Sequence, residues 1–209
     1  MSIINRLASN QGRNNNVLNQ ELAKDLADTN NKEGIAEVAA GLWYKDKTIQ
    51  SDCIKVMYEV GYIKPELISE YVLEFLNLLK SKNNRMVWGG MIALSNISEL
   101  KYEEIYKNID IVYSCLNSGS VITIDNALKV LAIISSKNPE YNKEIFPHLI
   151  EHLKNCRPKE IPQHAESILT AVNDFNKKVF IQALKERENL LTPAQLKRVR
   201  KIYRILGDD

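Results

Sequence analysis

Two histidines and a cysteine stand at a spacing that could offer three ligands to a metal ion. His148, His152 and Cys156 follow one another at i, i+4 and i+8, which places them along one face of a helix. Imidazole and thiolate are the groups that zinc prefers. However, Cys156 falls at or beyond the end of the helix predicted there, and the sequence places no acidic fourth ligand. We therefore predict no metal site and no cofactor.

A tryptophan and an arginine form the second group of interest. Arg85 precedes Trp88 by three residues, so both side chains lie on one face of a helix. Gly89 and Gly90 follow Trp88 and leave space beside the indole, whose N–H is a donor that a partner can use. The alternative is that Trp88 packs over a neighbouring helix, and the sequence leaves both interpretations open.

A basic stripe occupies the last predicted helix, where four cations recur at i, i+3, i+4 and i+7. Such a stripe fits a nucleic-acid or acidic-partner site, or a solvated end cap, and we favour the cap. Its position near the carboxyl end of the helix also suits the helix dipole. The stripe consists of Lys197, Arg200, Lys201 and Arg204.

Few residues are available for enzyme chemistry. The chain has three histidines, and no Ser/His/Asp arrangement or glycine-rich phosphate loop occurs in it. We therefore predict no catalytic residues and a protein that is not an enzyme.

Composition limits the compartment and the partners. Of 209 residues, 44% are hydrophobic and 26% charged, with a net charge of +2, which gives no global case for nucleic acid or a membrane surface. Three widely spaced cysteines without a C-x-x-C pair suit a reducing compartment, and no run of about 18 apolar residues occurs. We predict a cytoplasmic protein with no membrane contact and no small-molecule cofactor.

The elements that carry these residues recur with a period of 37 residues. Steps of 37 join leucines at positions 42, 79, 116, 153 and 190, and two further apolar columns share that register. A fixed period of this length is typical of stacked supersecondary units that cannot bury their apolar faces alone. Small residues form another column at Cys53, Gly90, Ala127 and Ala165, which indicates a close helix crossing.

Helical periodicity without alternation predicts an all-α fold in which each period holds a first and a second helix. Residues 1–30 form a polar N-terminal segment, frayed or partly helical up to residue 16, followed by a capping helix at about 17–28. Residues 31–206 form one repeat domain of about five hairpins. These hairpins are expected at about 32–61, 65–99, 102–136, 139–172 and 175–206.

The chain resembles the HEAT-repeat branch of the HEAT and armadillo superfamily over about residues 31–206. The segment IFPHLIEHLKN at 145–155 is similar to the first HEAT helix with its internal proline, and MIALSNI at 91–97 and ALKVLAI at 127–133 are similar to the second. One departure is that the arginine that often follows the opening Asp of the second helix has no counterpart here. The resemblance implies a right-handed α-α superhelix, a solenoid of helical hairpins.

In HEAT-like solenoids the second helices line the concave side, so the resemblance implies where a partner would bind. The polar columns of those helices are mixed in sign around one large aromatic residue. Such a surface could hold an acidic peptide or a phosphate backbone, or it could consist of inter-repeat salt bridges. The candidate binding residues are Asp52, Lys55, Arg85, Trp88, Asp125 and Lys129.

Two functions follow from this surface. The leading hypothesis is a non-enzymatic scaffold that binds a protein or peptide on the concave face. The alternative is a DNA-binding protein resembling the HEAT-like alkylpurine DNA glycosylases, in which Trp88 would stack on the damaged nucleotide and Asp52 or Asp125 would stabilise the developing cation. A third possibility is self-association through exposed end repeats.

Overall fold

The computed structural model describes residues 2–12 and 17–208, and this part of the chain is helical with no strand. It contains eleven α-helices joined by short 3₁₀ helices, which confirms the predicted all-α fold. The helices are α1 (Val17–Asp28), α2 (Lys32–Gly41), α3 (Lys47–Ile63), α4 (Val72–Leu78), α5 (Asn84–Tyr106), α6 (Ile109–Ser118), α7 (Val121–Ser135), α8 (Pro139–Asn155), α9 (Ile161–Ile168), α10 (Lys177–Lys185) and α11 (Pro193–Leu206).

The helices follow the predicted order of hairpins, with α2, α4, α6, α8 and α10 as first helices and the intervening ones as second helices. The main difference is that several first helices start later than periodicity predicts. Pro65 opens two 3₁₀ helices before α4, and α5 continues past the predicted boundary through a break at Lys101 (φ −126°, ψ 26°). Helix α8 runs through Pro147, the internal proline of the HEAT-like segment.

Side-chain caps fix several of the helix starts. Asn31, Asp46, Asn83 and Asn138 each accept a hydrogen bond from a backbone N–H in the first turn of the following helix. Such caps satisfy donors that have no partner inside the helix. Pro139 and Pro193 occupy the first helical position, as their missing N–H predicts.

The chain divides into two compact units, Met1–Ala127 and Leu128–Asp209. In the first, α3 packs against α1, α2 and α5, and α4 packs against α5. In the second, α8 packs against α9 and α10, and α11 packs against α9 and α10. The division falls inside α7, and the single domain over 31–206 stays a prediction.

The apolar columns of the 37-residue repeat form the core of both units. Leu42, Leu79, Leu116 and Leu153 are all buried, whereas Leu190 is exposed. The small-residue column also has the predicted packing role. A Cβ added at Gly90 would lie 3.1 Å from both the Phe75 carbonyl oxygen and the Leu78 Cβ, so α4 and α5 cross closely there.

The N-terminal segment is more ordered than its polar sequence predicts. Residues Ile3–Arg6 and Ser9–Gln11 form 3₁₀ helices, and Ile4, Leu7 and Ala8 are buried. These short helices bury the apolar residues that precede the polar tract. The end of the polar tract, at 13–16, lies outside the described residues.

Candidate functional site

A row of rings in edge-on or tilted contact, with two cations beside them, crosses from α3 to α5, and we call it the aromatic strip. It consists of Tyr62, Tyr58 and Trp88, with Lys55 and Arg85 over two of the rings. The ring centroids are 6.0 Å apart for Tyr62 and Tyr58 and 5.9 Å apart for Tyr58 and Trp88. The Lys55 Nζ lies 4.9 Å from the Tyr58 centroid, and the Arg85 Cζ lies 5.4 Å from the Trp88 ring. These distances are within the range of cation–π attraction.

Helix periodicity brings the α3 part of the strip together. Lys55, Tyr58, Glu59 and Tyr62 stand at i, i+3, i+4 and i+7, and the Lys55 ammonium donates a hydrogen bond to the Glu59 carboxylate. Burial lowers the pKa of Lys55, but hydrogen bonds to Glu59 and Tyr58 outweigh it, so the pKa is raised overall. Burial also raises the pKa of Tyr58. Lys55 therefore stays charged beside a neutral phenol.

Trp88 combines the two interpretations that the sequence leaves open. Its side chain is half-buried because the indole packs on Tyr58, and part of it remains accessible. The adjacent glycines leave no free space, since a Cβ at Gly89 would lie 2.6 Å from the Ile54 Cγ1. The glycines thus bring α5 close to its neighbours, and that approach places Trp88 against Tyr58.

Arg85 lies at the end of the aromatic strip, next to Trp88. Its backbone N–H donates to the side chain of Asn83, the cap of α5, at 3.1 Å, which fixes the residue at the start of the helix. The guanidinium lies over Trp88, and its Nε is buried without a hydrogen-bond partner among residues 2–12 and 17–208. A buried donor without an acceptor costs free energy.

Asp52 does not belong to the strip. One carboxylate oxygen accepts from the Ser9 N–H at 2.8 Å, and the other accepts from the Asn19 Nδ2 at 2.7 Å. The side chain therefore holds the N-terminal segment and α1 against α3. Sequence reasoning missed this contact because Ser9 is 43 residues away.

The two remaining concave-face candidates both lie on α7. Asp125 is half-buried in the first unit, and Lys129 is exposed in the second. Their part in binding stays a prediction.

All four residues of the basic stripe are exposed on α11, while Val199, Ile202 and Tyr203 are buried on the other side of the helix. Arg200 and Arg204 line a shallow groove of about 370 Å³ with Lys185, Glu188, Tyr203 and Asp208. Lys185 forms an ion pair with Asp208 at 2.7 Å, so anionic groups already stand in this groove.

A cluster of metal-ligating atoms forms in the second unit, and it differs in one member from the His148, His152 and Cys156 set from which the sequence predicted no metal site. His152, Cys156 and His164 bring one donor atom each to within 4.8 Å of one another. His148 is exposed and lies outside this cluster. Burial raises the pKa of the Cys156 thiol, against the opposing effect of the Arg187 guanidinium.

Solved structures with the same arrangement of helices are engineered repeat proteins. One engineered protein aligns over 98% of this chain and 94% of its own, with a TM-score of 0.65 at 19% identity. A designed armadillo repeat protein in complex with peptide (KR)4 aligns over 91% and 87%, with a TM-score of 0.66 at 15% identity. Computationally designed armadillo repeat proteins for modular peptide recognition align over 88% and 85%, with a TM-score of 0.63 at 16% identity.

The chain therefore shares the helical-repeat fold of designed armadillo repeat proteins. No protein-family model matches its sequence, and no curated protein does either. None of the helices in the described residues is long and apolar enough to cross a bilayer.

Sequence reasoning missed two tyrosines of the aromatic strip and one histidine of the metal-ligand cluster. Tyr58 and Tyr62 carry a local signal, since two tyrosines four residues apart share a helix face with Lys55. His164 carries none, because it joins His152 and Cys156 only through the packing of α9 against α8.

Proposed function

We propose that this solenoid is a non-enzymatic scaffold that binds an extended protein or peptide segment on the aromatic strip. The single observation that carries the proposal is that Tyr62 is exposed and Trp88 and Arg85 are half-buried around the buried Tyr58 ring, which both Tyr62 and Trp88 contact. Amphipathic rings and arginine are the residue types that contribute most to protein interfaces, because they add large contact areas with donors at their edges.

The charges of the strip indicate which segment it would take. Lys55 is compensated by Glu59, whereas the Nε of Arg85 has no hydrogen-bond partner among the described residues. A carboxylate on the partner would form a charge-assisted hydrogen bond with the guanidinium. We therefore propose a segment that places an acidic side chain at Arg85 and an apolar or aromatic one on Trp88.

The structural neighbours support a binding role in general. Two of them are described by peptide recognition or a bound peptide, and they share the helical-repeat fold with this chain. The proposal extends that role to the present protein, with Asp125 and Lys129 as further contacts and the cytoplasm as the compartment. The three cysteines are buried free thiols, which fits a reducing environment.

Selection from a displayed random-peptide library on the immobilised protein tests the proposal. We expect enriched peptides to share an acidic residue near an aromatic or apolar one. Trp88→Ala and Arg85→Ala should each raise the Kd of those peptides about thirtyfold, the effect of a hot-spot loss of about 2 kcal/mol. Fluorescence anisotropy with the labelled peptides measures the change.

Matched variants separate binding from folding. Trp43→Ala removes the other tryptophan, which is 53% exposed and outside the strip, and Arg198→Ala removes an arginine engaged with Glu166. Both should bind normally. Trp88→Phe keeps an aromatic ring against Tyr58. This variant therefore distinguishes a loss of peptide binding from a loss of packing. Equal binding by wild type and Trp88→Ala, with circular dichroism showing both folded, would overturn the proposal.

A further inference from the structure

The metal-ligand cluster in the second unit joins two helices at one turn. His152 lies in the last turn of α8, Cys156 follows that helix directly, and His164 lies in α9. The His152 Nε2 and the His164 Nδ1 are 3.0 Å apart, and the two rings are tilted by 50° with centroids 4.9 Å apart. His164 is 1% exposed and Cys156 9% exposed.

The turn that carries Cys156 is held rigidly by its own contacts. The Cys156 N–H donates to the His152 carbonyl oxygen at 2.8 Å and ends α8. Arg187 donates to the carbonyl oxygens of Leu153 and Cys156, both at 2.7 Å. The thiol is therefore fixed beside the two imidazoles before any ligand arrives, which lowers the ordering cost of binding.

We propose that this cluster is a zinc site, with the His152 Nε2, the Cys156 Sγ and the His164 Nδ1 as ligands and water as the fourth. Two imidazoles and a thiolate match the preference of Zn²⁺, whereas Mg²⁺ and Ca²⁺ prefer oxygen ligands. Sequence spacing alone suggests His148 as the third ligand, but the packing of α9 puts His164 in that place.

The distances between the three donor atoms are close to those of a tetrahedral zinc site, so small side-chain rotations would bring all three onto one ion. Tetrahedral bonds of about 2.05 Å to nitrogen and about 2.3 Å to sulfur separate two nitrogens by about 3.3 Å and a nitrogen from the sulfur by about 3.6 Å. The two nitrogens are already 3.0 Å apart, and the longest separation in the cluster is at most 4.8 Å. The largest adjustment is therefore about 1.2 Å, the difference between 4.8 Å and about 3.6 Å.

The charges around the cluster are compatible with the ion. The Arg187 guanidinium lies 3.7 Å from the Cys156 Sγ, where its charge opposes the burial that raises the pKa of this thiol. The Glu160 carboxylate is paired with Arg157 and also interacts electrostatically with His164. His152 is half-buried and provides the route by which the ion enters.

Cobalt substitution tests the site directly. The full chain, stripped with a chelator and dialysed under reducing conditions, is titrated with Co²⁺ and then with Zn²⁺. We expect one equivalent of Co²⁺ to produce a thiolate-to-metal charge-transfer band and d–d absorption of tetrahedral intensity, and Zn²⁺ to abolish both. Cys156→Ser should lose the charge-transfer band. His152→Gln and His164→Gln should weaken binding at least about tenfold, the lower bound for losing even an outer contact.

Matched controls replace the same residue types elsewhere. His148 lies one turn before His152 on α8, and Cys115 is another buried thiol. The variants His148→Gln and Cys115→Ser should therefore bind Co²⁺ and Zn²⁺ as wild type does. Because His164→Gln risks misfolding, the half-buried His152→Gln provides a second measurement. Zn²⁺ should raise the Tm of wild type and not that of His152→Gln. Absence of the charge-transfer band in wild type, its persistence in Cys156→Ser, or an equal Tm shift in both proteins would overturn the proposal.

Discussion

At the scale of single residues, Asp52 links three parts of the first unit. Its carboxylate on α3 accepts from Ser9 in the N-terminal segment and from Asn19, which is fully buried on α1. Glu37 on α2 acts in the same way by accepting from the Ile3 N–H at 3.0 Å. The pKa of Glu37 is lowered by the hydroxyl of Ser2 and by that N–H. Two acids of the repeats therefore dock the N-terminal segment.

Asp52→Asn should detach that segment. The amide oxygen can still accept from one of the two donors, but the NH2 group faces the other donor, so we expect a loss of about 1–3 kcal/mol in the free energy of unfolding. Hydrogen exchange of residues 2–12 should also become faster. Urea unfolding and exchange by mass spectrometry measure both, with Asp28→Asn at the exposed end of α1 as the control. Unchanged exchange of residues 2–12 in Asp52→Asn would contradict this role.

At the scale of elements, α11 begins with a reciprocal cap. The Gln195 N–H donates to the Thr192 Oγ1 at 3.4 Å, and the Thr192 N–H donates to the Gln195 Oε1 at 2.8 Å. Thr192→Ala should lower the free energy of unfolding by about 0.5–2 kcal/mol, because an N–H of the first turn loses its acceptor. Chemical denaturation measures the change. Thr192→Ser keeps the hydroxyl and should remain close to wild type, and a loss equal to that of the alanine variant would disprove the cap's contribution.

At the scale of the whole molecule, charge decides between a peptide scaffold and a nucleic-acid protein. The net charge is +2, so the cations of the basic stripe are the strongest local candidates for phosphate contacts. We expect no measurable binding of a fluorescein-labelled DNA duplex or single strand, even at about 50 mM salt. Anisotropy across a salt series measures this, because each neutralised duplex phosphate adds about −0.9 to the log–log slope.

The opposite result would revive the DNA-binding alternative. Micromolar affinity with a slope near about −4, lost when Lys197, Arg200, Lys201 and Arg204 are changed to alanine, would assign the stripe to nucleic acid. Release of alkylated base from methylated DNA would then test the glycosylase-like reaction. In that reaction Asp52 would be a weak candidate for stabilising charge, since protein donors already occupy both of its oxygens.

Local patterns were enough for most of the fold. The capping helix at 17–28 and the starts of α8 and α11 lie where periodicity, Asn138, Thr192 and the prolines place them. Periodicity failed at 65–71 and 102–106, where apolar spacing continues but the backbone forms 3₁₀ turns or joins the preceding helix. Apolar spacing reports which residues are buried, and it does not report how tightly the backbone winds between them.

The sequence by itself determined the 37-residue repeat, the buried columns and the face that carries Lys55, Arg85 and Trp88, because these depend on the fixed geometry of a helix. Only the tertiary structure decided which side chains meet across helices. It placed Trp88 on Tyr58, joined Asp52 to Ser9, and exchanged His148 for His164 beside Cys156. Such pairs depend on the crossing of helices far apart in the chain, where a close approach like that at Gly90 is set by the packing of every neighbouring side chain.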